Sequence, residues 1–131
     1  MRLYTVGYGN GRRSEPIEAV VPVECLVIDV RARPWGAWHR AFTAAGLAEA
    51  FKRHAGYWSL VPLGNVSGSA EVWTSPAPGA AEWMLEGVAE VIRGGQAVCL
   101  LCAEADARRC HRSVLARLLQ ERVAGLEVVD L

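Results

Sequence analysis

The chain has 131 residues, 52% of them hydrophobic, and a formal net charge of +0. That length suits one domain, 1–131, with a real core, and that composition excludes intrinsic disorder. Zero net charge gives no global attraction to nucleic acid or an anionic membrane, and no apolar run approaches the ~20 residues that cross a bilayer.

Leu3 to Val6 reads as a first strand, ended by G-Y-G-N-G. Ser14 stands where a helix cap would, with Pro16 in the first turn, Ile17, Val20 and Val21 as a short apolar face, and Pro22 as the stop. Cys25 to Val30 is a buried second strand, followed at once by R-A-R-P-W. Thr43 caps a helix that turns Leu47 and Phe51 inward and ends near Gly56, and Tyr57 to Val61 is the third strand. Gly64 to Gly79, rich in Gly, Ser and Pro, reads as a long surface loop, a mobile connection more than a lid. Ala80 to Arg93 has Met84, Leu85, Val88, Val91 and Ile92 at helical spacing, with Gly94-Gly95 as its end. A fourth apolar strand begins at Gln96. Asp106 is placed to cap a last helix from Ala107, with Val114, Leu115, Leu118 and Leu119 on one stripe, and Leu126 to Val129 closes the chain as a short strand.

Near-continuous apolar strands alternating with helices predict an α/β fold. The expectation is a single three-layer domain: a mainly parallel sheet of about five strands with helices on both faces. Right-handed crossovers then bring every strand's carboxyl end to one edge. G-Y-G-N, D-V-R-A-R-P, P-L-G-N and C-A-E-A-D all follow strands, so the polar residues gather where doubly wound sheets bind ligands.

The N-terminus lacks the shape of a signal peptide, so the expected compartment is the cytoplasm, with reduced thiols. Cys99 and Cys102 form C-x-x-C, but on a strand residues three apart point to opposite faces and cannot share a metal. Cys99 and Cys25 read as core. Cys102 ends the fourth strand beside Glu104, an acid that raises a thiol pKa and repels anions. Cys110 and His111 precede Val114 and Leu115 at spacings that lean them toward the sheet from the first two turns of the last helix, with Arg108, Arg109 and Arg112 around them. Asp29 closes a buried strand ahead of Arg31 and Arg33, and its expected role is to orient an Arg or cap amides. Trp35, Trp38 and His39 form either a stacking wall or a hydrophobic clasp. His54 reads as a solvated helix-end residue.

Y-T-V-G-Y-G-N, I-D-V-R-A-R-P and L-L-C-A-E-A-D-A-R-R-C-H-R-S together resemble the domain of unknown function 488 family, over nearly the whole chain. The resemblance implies a small prokaryotic α/β protein without an agreed biochemical role. Two positions depart from the family pattern: Ala107 stands where Pro is frequent, and Gly7-Tyr8 where Gly-His is common. A more distant, architectural likeness is to rhodanese-like domains and thiol phosphatases, with Cys102 where their nucleophile stands. The acidic A-E-A-D loop, without Gly, departs from their anion cradle.

Three readings follow. The first is an anion- or phosphate-binding Cys/His/Arg site, working as a thiol-dependent transferase or hydrolase. Its catalytic candidates are Cys102, Cys110 and His111; its ligand-binding candidates are Tyr8, Asn10, Asp29, Arg31, Arg33, Glu104 and Arg112. It needs no cofactor and no metal, and its partner is a small anionic ligand or nucleotide. The second is a non-catalytic nucleotide or nucleic-acid binding module, which the neutral charge weakens for nucleic acid. The third is metal binding by Cys102, Cys110 and His111, with Glu104 as a further ligand, without the spacing of known structural zinc sites. No membrane partner is expected, and the sequence carries no mark of oligomeric state.

Overall fold

The computed structural model describes residues 1–9, 14–36, 39–69, 71–104 and 110–131. Its elements run β1 (Arg2–Gly7), α1 (Ile17–Val20), β2 (Leu26–Asp29), α2 (Ala44–Ala50), β3 (Gly56–Ser59), α3 (Pro78–Arg93), β4 (Val98–Cys102), α4 (Arg112–Arg122) and β5 (Glu127–Asp130). The five strands form one parallel sheet in the order β3-β2-β4-β1-β5. This is the α/β architecture expected from the apolar strands. No helix among the described residues is long and apolar enough to cross a membrane.

Period-two alternation splits the sheet into two buried faces. Leu26, Ile28 and Val30 of the β2 segment and Val98, Leu100 and Cys102 of β4 pack with Leu85, Val88 and Ile92 of α3 and Leu115 and Leu119 of α4. Val27, Cys99 and Leu101 face the other way, onto Ile17 and Val21 beside α1 and Leu47 and Phe51 around α2. The connections after β1 and β2 therefore cross one face, and those after β3 and β4 return across the other. β4 sits between β1 and β2, whose following helices both lie on the opposite face, so its carboxyl end is the switch point where the chain parts in two directions.

Local signals explain most boundaries. The Thr43 hydroxyl accepts from the Gly46 amide at 3.2 Å and starts α2. Gly94 ends α3, and Gly95 follows at φ 97°. Three expectations need correction. Pro16, not Ser14, is the N-cap of α1, without a side-chain cap bond, because its fixed φ already suits the first turn. α4 starts at Arg112, with His111 as N-cap, instead of at Ala107; the expected Asp106 cap, with Arg108 and Arg109, lies outside the described residues. His54 is not a free helix-end residue: its Nε2 lies 3.0 Å from the Val21 carbonyl and its ring meets Phe51 edge-on.

The connection before α3 is internally tied. Trp73 packs against the α3/α4-side core and donates from Nε1 to the Gly64 carbonyl at 2.9 Å. Asn65 Oδ1 accepts from Ser67 and Thr74 amides at 3.1 and 2.9 Å.

Two glycines let chain segments touch at the carboxyl edge. A Cβ on Gly64 would stand 2.3 Å from the Ala32 Cα, and one on Gly7 would stand 1.7 Å from the Glu104 carbonyl oxygen. Both contacts are with backbone, which cannot turn aside. Gly87, inside α3, has nothing within 4 Å of its missing Cβ. Gly64→Ala is therefore expected to cost about 3 kcal/mol or more, whereas Gly87→Ala gains about 0.5–1 kcal/mol by restricting the unfolded chain. Urea unfolding midpoints of the two variants, moving in opposite directions from the parent, check this.

Candidate functional site

Cys102 is the last residue of β4, and alternation points it into the α3/α4 layer. Cys99 faces the other layer, so the C-x-x-C thiols are separated by the sheet. Cys110 and His111 arrive on the same side as Cys102, immediately ahead of α4, and not within its first two turns. The three side chains are buried, at 6%, 3% and 6% exposure respectively.

The imidazole has a defined orientation. His111 Nε2 lies 2.7 Å from the Val30 carbonyl, just past β2, and 2.9 Å from the Leu63 carbonyl, after β3. Carbonyl oxygens only accept, so Nε2 carries a proton. In the neutral ring Nδ1 is then a bare lone pair. It stands 3.9 Å from Cys102 Sγ and 3.8 Å from Cys110 Sγ. Sequence reasoning missed the two carbonyls, since any residue supplies one; the signal lay in the two strand ends that converge there.

The thiols differ electrostatically. A hydrogen bond from Cys102 holds the Cys110 thiol well below its ordinary range; burial opposes this, while His111 in its doubly protonated form and the Arg112 main-chain amide add to it. That same bond, followed by burial, pushes Cys102 up, against the Ala103 amide and the Arg112 charge. The shifts are opposite in direction, and Cys110, just ahead of α4, is the thiol of the pair that ionises more readily, a preference the helix dipole shares. Cys25 is separate, pushed up to about 11 by burial and by Glu24.

A second polar assembly occupies the opposite face of the same edge. Asp29 accepts from Arg31 Nε at 2.8 Å and from Arg31 NH2 at 2.7 Å, a bidentate pair with side chains 0% and 7% exposed. Arg31 NH1 donates to the Tyr8 hydroxyl at 3.2 Å and to the Phe42 carbonyl. The Tyr57 hydroxyl donates to Asp29 Oδ2, and Tyr8 stacks on Phe42 at 4.2 Å. Burial works against the Arg31 charge, but Asp29 more than offsets it and the guanidinium pKa is raised; burial and Asp29 raise Tyr57 likewise. Tyr57 went unnoticed in the sequence, although parallel register places it two residues before Ser59, the partner of Asp29.

The candidate residues therefore share one edge but divide between its faces. Cys102, Cys110 and His111 stand on one, and Asp29, Arg31 and Tyr8 on the other, while Val30 between Asp29 and Arg31 lends its carbonyl to His111. Arg112 is buried at 1% exposure, with NH1 donating to the Glu104 carbonyl above Gly7. The Glu104 side chain and Arg33 are exposed, and Tyr8 is half-buried. Trp35 is 68% exposed and so forms no clasp by itself. His39 Nδ1 accepts from the Ala41 amide at 3.2 Å and its ring leans on Phe42. Asn10 and Trp38 lie outside the described residues.

Residues 77–123 match the family model DUF488-N3a, described as "Active DUF488-N3 subclade". The likeness to the DUF488 family is over that segment, which carries Cys102, Glu104, Cys110, His111 and Arg112. No curated protein and no solved structure matches the chain.

The Asp29–Arg31 pair gives a stability prediction. Asp29→Asn leaves a buried guanidinium without its counter-charge and is expected to cost about 3–5 kcal/mol. Tyr57→Phe removes one hydrogen bond to a carboxylate and costs about 1.5–3 kcal/mol. Denaturant unfolding of both variants, with Asn the more damaging, checks the ranking.

Proposed function

We propose that this DUF488-family domain acts through its thiols, as a transferase or hydrolase working on a small, anionic, electrophilic substrate. The observation that carries the reading is the His111 ring: its Nε2 is fixed by two carbonyls and its Nδ1 lies between Cys102 and Cys110. A nucleophile beside a base that is itself oriented by a third group is the arrangement covalent catalysis needs. In this reading the Cys110 thiolate attacks the electrophilic centre and forms a bond from sulfur. The leaving group departs with its electron pair and takes a proton from Cys102. Water, or a second acceptor in the transferase case, then cleaves the sulfur bond and frees the Cys110 thiolate, with Nδ1 of His111 receiving the proton and returning it to Cys102.

The other candidates take different roles. Asp29, Arg31 and Arg112 hydrogen-bond within the protein, and we assign them to positioning. Arg33, with more exposure, is the candidate to meet an anionic substrate, together with Asn10, while Tyr8, hydrogen-bonded to Arg31 on the other face, joins the positioning group; Glu104 stands at the rim and disfavours a second negative charge there. The four free, buried cysteines fit a reducing compartment, the cytoplasm. The matched family model is that of an active subclade, and it covers the segment that holds the thiols and the histidine, which agrees with a catalytic assignment.

The test is alkylation against pH. A thiolate held at low pKa stays nucleophilic in mild acid, whereas an ordinary thiol with pKa ~8.5 loses about tenfold in rate per pH unit. Iodoacetamide labelling, located by peptide mass, is expected to fall on Cys110 with little loss of rate between about pH 7.5 and 5.5. Cys110→Ser should remove the fast site, and His111→Ala should slow it. Cys25, pushed up to about 11, should label slowly across that range. Absence of any fast thiol below pH 7.5 would sink thiolate catalysis and favour the nucleotide-binding module.

A further inference from the structure

Cys102 Sγ, Cys110 Sγ and His111 Nδ1 all lie within 4.8 Å of one another. A tetrahedral zinc ion, with Zn–S of about 2.3 Å and Zn–N of about 2.0–2.1 Å, sets its ligand atoms about 3.5–3.8 Å apart. The Nδ1 to sulfur distances are already 3.9 and 3.8 Å. The nitrogen needs shifts of a few tenths of an ångström, and the two sulfurs, within 4.8 Å of each other, an approach of no more than about 1 Å, to bring all three atoms onto one ion.

The surroundings match as well. A metal-binding histidine generally gives its other ring N–H to a carbonyl or carboxylate, which fixes the tautomer and the ring's orientation. Val30 and Leu63 do this for His111. Two thiolates and an imidazole are soft donors, which select zinc-class ions over magnesium or calcium. The three are buried, Cys102 at the end of β4 and Cys110 and His111 just ahead of α4. Among the described residues the group contains these three ligands, which leaves one position of a tetrahedron for water or a further ligand.

We propose that Cys102, Cys110 and His111 bind a single thiophilic divalent cation of the zinc class, and that its occupancy switches off the thiol chemistry of the same site. The second half rests on the thiol reading of the preceding subsection; the first stands on the cluster geometry alone. The cation takes the electron pairs that Cys110 would use for attack and that His111 would use to receive a proton. Cys102 gives up its thiol proton to solvent as its sulfur binds. No oxidant or reductant takes part, so chelation restores the free thiols.

The experiment uses the full chain, stripped with a chelator under reducing conditions and then titrated with Co²⁺ and Zn²⁺. Cobalt should give an intense near-ultraviolet thiolate charge-transfer band and the visible bands of a tetrahedral ion. Native mass spectrometry should show one zinc per chain, and X-ray absorption of the zinc form should show sulfur and nitrogen neighbours. Cys102→Ser, Cys110→Ser and His111→Ala should each weaken zinc about a hundredfold or more in competition with a chromophoric chelator. Cys25→Ser and Cys99→Ser should not. Where a ligand variant fails to fold, the cobalt spectrum of the parent decides. A spectrum without thiolate charge transfer, or zinc affinity unchanged in all three ligand variants, would overturn the site. Zinc should also slow Cys110 alkylation of the parent at least tenfold, and fast labelling of a zinc-loaded chain would overturn the switch. Stripped chain with no fast thiol but with stoichiometric zinc would refute the thiol reading and leave the metal site standing.

Discussion

One side chain joins the parts of this edge that chain topology keeps apart. The His111 N–H faces two main-chain oxygens, Val30 from the end of β2 and Leu63 from beyond β3, while His111 itself introduces α4, the helix that follows β4. Three loops are therefore tied at one ring nitrogen. Everything chemical about the site depends on that tie. It decides which nitrogen holds the proton, it turns the other toward the sulfurs, and it holds Cys110 against Cys102. An unanchored ring would rotate, and neither the thiolate partnership nor a coordination geometry would be defined.

The next residue makes the complementary link. Arg112 donates to the Glu104 carbonyl over Gly7, at the ends of β1 and β4. Neighbouring residues thus join α4 to the two sides of the switch point. The glycines make this possible by removing bulk where backbone meets backbone: Gly7 under Glu104, and Gly64 against Ala32. On the reverse face the Asp29–Arg31 pair, closed by Tyr8 and Tyr57, holds the β2 exit in place, so that the Val30 carbonyl is presented in a fixed direction. Charge on that face acts as framework for the cysteine–histidine cluster on the other.

Much of this was legible in the sequence because it rests on periodicity. Apolar runs at Leu26–Asp29 and Val98–Cys102 identify buried parallel strands, and period two correctly sends Cys99 and Cys102 to different layers. Thr43 and Gly94 mark helix ends through local chemistry that needs no tertiary context. What escaped depends on long-range placement. Ser14 looked like a cap, but Pro16 already fixes the turn. Trp73 sat in a stretch whose composition suggests mobility, and only the core it reaches explains the tie to Gly64. Tyr57 belonged to an apolar strand until the register set it on the face of Asp29. Asp29 and Arg31 were grouped with the thiols because they share an edge, but an edge has two faces and their side chains take the other.

The contacts of His111 also have a kinetic meaning. Its carbonyl partners lie 81 and 48 residues back along the chain. Contacts of such separation close large loops, so they form once most of the sheet is assembled. The helices and the hydrophobic layers can gather earlier around local contacts, but the ring finds its oxygens only when the exits of β2 and β3 are both in place. The cysteine pair therefore acquires its electrostatic character at the end of folding. In the unfolded chain its sulfurs are ordinary thiols, and the grouping of the two sulfurs around one ring nitrogen is a property of the completed native chain.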